Sequence, residues 1–106
     1  MFKTPLAAVV AIAIHAGAAA AHTHESYMAA MDKMNHTMMS MKMTGDPTRD
    51  FVLMMIPHHQ SAIDMANALL KDPNADPDIK AMAEKIISDQ QNEIDQLNAW
   101  LQTHKQ

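Results

Sequence analysis

The chain has 106 residues and a formal net charge of −4, with 12 methionines, 7 histidines, 2 glycines and no cysteine. That length allows one small domain, and the acidic balance argues against nucleic acid or anionic membrane surfaces as partners. The missing cysteine excludes a disulfide, a lipoprotein anchor, a thiol nucleophile and the C-x-x-C-H attachment of a c-type haem.

Residues 1–21 read as a secretory signal peptide. Lys3 supplies a positive n-region, Leu6 to Ile14 an apolar h-region, and Ala19-Ala20-Ala21 a small-residue cleavage site. The apolar run is shorter than the ~20 residues that span a bilayer. The expected compartment is therefore the periplasm or the exterior, with no membrane attachment after cleavage. Residues 22–106 remain, 85 in number, and loss of Lys3 takes the net charge to −5. A helical domain of that size has a marginal core, so oligomerisation or a bound metal would strengthen it.

Scarce glycine favours helix, and proline punctuates the chain twice in the same way. Asp46-Pro47 and Asp76-Pro77 each place a capping carboxylate before a proline suited to the first helical position. Three helices are predicted, at about 25–43, 47–71 and 77–103, with Gly45 as the left-handed cap after the first. Short loops make neighbours antiparallel. The expected fold is a small all-α three-helix bundle, with dimerisation as a route to a four-helix or larger one.

On the first helix Tyr27, Met31, Met34, Met38 and Met41 follow the spacing of a core seam. Met28, Met39 and Met43 lie on a different face together with His36. A polar surface is expected there, so these residues are candidates for metal ligation or for a dimer interface. Methionine dominating an exported protein is unusual, because thioether is open to oxidation outside the cytoplasm. Thioether is also a soft ligand suited to Cu(I), and imidazole serves copper as well as zinc, iron and nickel.

The second helix contains Met54-Met55-Ile56-Pro57-His58-His59 and, beyond it, Met65. Met54 and Met55 precede His58 by four and three residues, and Met55 precedes His59 by four, so each histidine has a methionine neighbour on the helix surface. Phe51, Met55, His58, Ala62, Ala66 and Leu69 centre the apolar arc, which predicts both histidines to be buried on opposite halves of it. Pro57 lacks an N–H and crowds the carbonyl of Leu53, which predicts a kink beside the histidines. A satisfied core histidine would explain one such residue; two adjacent ones among methionines point to ligands.

The third helix has an apolar seam through Ile79, Ala83, Ile86, Leu97, Trp100 and His104, with Gln90 and Glu93 in its middle. Matching levels across the turn sets these two beside the histidine pair. They are expected to accept a ring N–H of His58 or His59 and fix its tautomer; the alternative is a buried polar pair that sets helix register. Cleavage after Ala21 would also leave His22-Thr23-His24 as a new terminus. Its amine, two amide nitrogens and His24 imidazole would suit square-planar Cu(II) or Ni(II), with His22 as a further donor.

Asp50-Phe51, Met55-Ile56-Pro57-His58-His59 and Ala62-Ile63-x-Met65-Ala66, followed by Ala83-x-x-Ile86-Ile87-x-x-Gln90-x-x-Glu93-Ile94 and Trp100-Leu101, resemble the exported CopM-like family. The resemblance covers most of residues 25–103. It implies a ferritin-like helical domain, copper binding outside the cytoplasm, a part in copper tolerance, and a copper-handling set of Met55, His58, His59 and Met65. Leu97 departs from it, since members often carry methionine there.

The expectation is a non-enzymatic protein that sequesters or hands on Cu(I), with Cu(II) as a further cargo. Its partners would be a copper exporter or another periplasmic copper protein, or a second copy in a homodimer. Two alternatives stand beside it: a Met/His-ligated b-type haem in an electron-transfer bundle, and a methionine-rich interaction domain without chemistry. A carboxylate di-metal enzyme is disfavoured because no Glu-x-x-His pair occurs.

Overall fold

The computed structural model describes residues 6–105, with side chains from Gly17 onward. The expected n-region with Lys3 lies outside the described residues. Three helices follow in order: α1 (Leu6–Met39), α2 (Pro47–Leu70) and α3 (Pro77–Thr103). The fold is the expected small all-α three-helix bundle, and no strand occurs among the described residues.

Both Asp-Pro pairs start helices. The Asp46 carboxylate accepts from the amides of Thr48 at 3.0 Å and Arg49 at 3.4 Å. That of Asp76 accepts from Asp78 at 2.8 Å and Ile79 at 3.2 Å. Each satisfies amides that have no partner inside the helix. Such caps give α2 and α3 the starts the sequence predicts, and their ends agree within one residue.

α1 departs from expectation at both ends. It begins inside the predicted leader, because the stretch from Leu6 to His22 is rich in alanine and contains no proline. It ends at Met39 rather than Met43. Ser40 Oγ turns back onto the His36 carbonyl at 2.8 Å. Four residues later Thr44 is held by the carboxylate of Asp50, which accepts from its amide and its hydroxyl at 2.8 Å each. These bonds bend residues 40–46 into a turn, so Met41 and Met43 leave the helix. Gly45, with φ +88°, serves that turn instead of capping α1.

The antiparallel order is tied at two places. Arg49 Nη1 donates to the His104 carbonyl at 2.6 Å, joining the start of α2 to the end of α3. Thr23 Oγ1 donates to Asp72 at 2.8 Å, joining α1 to the turn after α2. α2 is the middle helix. α1 and α3 each pack on it and, among the described residues, make no close backbone contact with one another. The result is an open layer, 79 × 26 × 15 Å along its principal axes.

The packed surfaces of α2 are its two flanks. Val52, Ile63 and Ala66 are buried, as are Ser61 and Ala68, while Ala30, Ala83 and Ile94 close the contacts from α1 and α3. These are mostly small residues, and among the described residues no side chain is completely buried. α2 therefore keeps two uncovered sides. One carries Met34, Met41 and Pro57 among Lys33, Gln60 and Asp64, around a groove of about 450 Å³. The other is apolar. There Tyr27 of α1, Met65 and Leu69 of α2, and Met82 and Ile86 of α3 share a groove of about 300 Å³.

A candidate metal centre on the apolar side

A second groove on this side, about 490 Å³, lies between α2 and α3 and is lined by Phe51, Met55, His59, Glu93, Leu97 and Trp100. His59 reaches it from the α3-facing flank of α2, and its side chain is 15% exposed. Its Nε2–H donates to Oε2 of Glu93, whose own side chain is 54% exposed. Nδ1 is buried and has no hydrogen-bond partner. When the imidazole is neutral, a proton held on Nε2 by the carboxylate leaves Nδ1 with a lone pair. Leaving such an acceptor unsatisfied costs about 1–3 kcal/mol.

His58 stands differently. Its ring centroid is 6.4 Å from that of His59, with 61° between the planes. It is exposed, which corrects the expectation that both histidines are buried. The centre of the apolar arc is not the packed surface. α2 instead packs along two flanks, so the strip between them, with Phe51 at 59% exposure, is uncovered. His58 lies three residues after Met55 and four before Ala62, hence on this strip. Met54, Met55 and Met65 are half-buried around it.

α2 runs unbroken through Pro57. The missing amide leaves the Leu53 carbonyl without its helical donor, and both residues line the polar-side groove, where Gln60 and Asp64 are also found.

The remaining candidates are placed as follows. Gln90 is half-buried and bonds neither histidine; Glu93, one turn further on, takes that position. Met28, His36, Met39 and Met43 are exposed, with Met39 at 87% and Met43 at 60%, and none lines a groove with the α2 histidines. His22 and His24 are exposed on α1. His22 Nδ1 lies 4.0 Å from Glu25. Sequence reasoning missed the flat stack of Trp100 on His104, with centroids 4.1 Å apart and planes at 9°; the four-residue spacing of the two was its signal.

Among the described residues no three His, Asp or Glu side chains gather as metal ligands. One imidazole and one thioether, those of His59 and Met55, line the same groove. Among the described residues no helix is long and apolar enough to cross a membrane.

Three antiparallel helices with a histidine–carboxylate pair between α2 and α3 define an all-helical domain. The chain belongs to the family described as a domain of unknown function (DUF305), whose model matches residues 8–101. It is also similar to uncharacterized protein L153 of Acanthamoeba polyphaga mimivirus, 45% identical over 51 residues. That match takes in 48% of this chain and spans about a third (33%) of the relative.

Proposed function

We propose that this chain is an exported, non-catalytic copper-binding protein that holds Cu(I), and in second place Cu(II), through methionine and histidine and contributes to copper tolerance. The observation that carries the reading is His59: one ring nitrogen bound to Glu93, the other buried and without a partner, with Met55 in the same groove. A carboxylate that fixes a histidine tautomer is the usual support behind a metal-binding imidazole. Copper here is cargo. Glu93 keeps the proton on Nε2 and turns Nδ1 toward acceptance. Met54, Met55 and Met65 offer thioethers whose flexible stems permit exchange to a partner, either a copper exporter or another copper protein of the same compartment. The resemblance to the CopM-like family supports the same cargo, compartment and ferritin-like kinship.

The test is a competition titration of the purified apo-protein against a colorimetric Cu(I) chelator. The chain is expected to withdraw Cu(I), and His58→Ala with His59→Ala to abolish most of that uptake. No withdrawal, or full uptake by the double variant, would refute the proposal. A Soret band in the protein as purified would move the reading to haem.

A further inference from the structure

We propose that the apolar side of the layer is covered by a second copy of this chain, related by a two-fold axis that passes close to His58. The first argument is area. The chain exposes 7836 Å², whereas a compact monomer of its mass, 11.7 kDa, exposes roughly 5,900 Å². The projecting start of α1 accounts for part of that excess of roughly 1,900 Å², and the open sides of the layer for the rest. A standard interface removes about 800 Å² from each partner, less than that excess.

The second argument is chemistry. Phe51, Ile79 and Met82 are 59%, 47% and 57% exposed, and Met31 of α1 is 41% exposed. Glu93 is the one charged group among the described residues lining the two apolar grooves, and His59 already engages it. A surface so poor in charge is expected to be buried against another apolar surface, and an identical copy meets it without like-charge repulsion.

The third argument is symmetry. In a two-fold interface the residues at the axis meet their own counterparts. α2 is the central helix of the layer, and His58 is the twelfth of its 24 residues and lies on its uncovered strip. Stacking two layers through that strip turns two open three-helix layers into one six-helix body with a closed interior. This inference stands on the shape and polarity of the layer, and its test uses no copper.

Sedimentation velocity of the full chain in chelator tests it without copper. A dimer is expected at micromolar concentration, converted to monomer by Phe51→Glu with Met82→Glu while far-UV helicity is kept. Both residues are exposed in the single chain, so the variant should fold. Asn67→Glu, away from this side, should leave the dimer intact. A monomeric wild type, or a dimer that survives the double charge, overturns the proposal. The axis is tested by His58→Cys in a chain with no cysteine of its own. A disulfide needs Cα atoms about 4.4–6.8 Å apart, so diamide should link this variant into a covalent dimer and leave Asn67→Cys unlinked. Failure of His58→Cys to link overturns the placement of the axis.

Discussion

The two uncovered sides of α2 are built from the same helix and differ in what they hold. One carries methionines among Lys33, Gln60 and Asp64, with Gln60 donating to the Asp64 carboxylate at 3.0 Å. The other carries methionines beside His58, His59 and a single carboxylate already bonded to a ring nitrogen. Methionine content alone therefore says little here. Met34 and Met41 on the polar side fill space, as methionine commonly does. Met54 and Met55 have imidazoles within helical reach, and Met65 lies two turns beyond His58 on the same strip; it is this company that makes them donors in the proposed reading.

The largest expected effect breaks that comparison directly. Met54, Met55 and Met65 each changed to Leu keep nearly the same volume, a swap that usually costs under about 1.5 kcal/mol. Cu(I) affinity should fall by roughly a hundredfold, equivalent to about 2.8 kcal/mol, with helicity unchanged. The same change at Met34 and Met41 should leave affinity within about twofold, well under 1 kcal/mol. Equal losses from both sets in the chelator titration would erase the distinction between the sides.

Glu93→Ala comes next. Loss of the group that fixes a ligand's tautomer typically costs about 10–100-fold in metal affinity, and the lower end is expected here because Glu93 is about half exposed (54%). Nitrogen-15 shifts of His59 should show mixed tautomers in the variant, and a single unchanged tautomer would count against the role given to Glu93.

Smaller effects concern the frame. Asp46→Ala and Asp76→Ala should each lower unfolding free energy by about 1 kcal/mol, measured by urea denaturation, without changing copper affinity. Thr23→Val removes the bond to Asp72 and should cost about 0.5–1.5 kcal/mol.

The smallest effect is pH-dependent. The Thr44 amide and hydroxyl hold the Asp50 carboxyl below its ordinary value of 3.8, and the Asn74 amide with the Thr23 hydroxyl does the same for Asp72. A carboxyl depressed in the folded state adds stability above its unfolded value and loses it as pH falls through the folded one. The stability gap between wild type and Asp50→Asn should therefore be present at neutral pH and close below pH 3.8. A gap that stays constant to lower pH would show that the Thr44 bonds do not depend on charge.

Much of the frame was legible because its signals are local. Asp-Pro caps mark the starts of α2 and α3, and nothing remote competes with them. The end of α1 was not legible: the apolar spacing continues through Met41, while the turn is enforced by Asp50, six residues beyond Thr44. The pairing of helices α2 and α3 at the level of His59 was readable from loop length, to within one turn, and Glu93 rather than Gln90 fills that place. The exposure of His58 was hidden for a different reason. A helix wheel assumes one packed surface, and a central helix flanked on both sides has two, with its most apolar strip left open between them.

The central claim is that thioether and imidazole together hold the metal. X-ray absorption at the copper edge of the Cu(I)-loaded chain reads the ligand atoms directly. The account predicts mixed sulfur and nitrogen scattering, with the sulfur contribution lost when Met54, Met55 and Met65 are changed to Leu. A first shell of nitrogen and oxygen alone would contradict it.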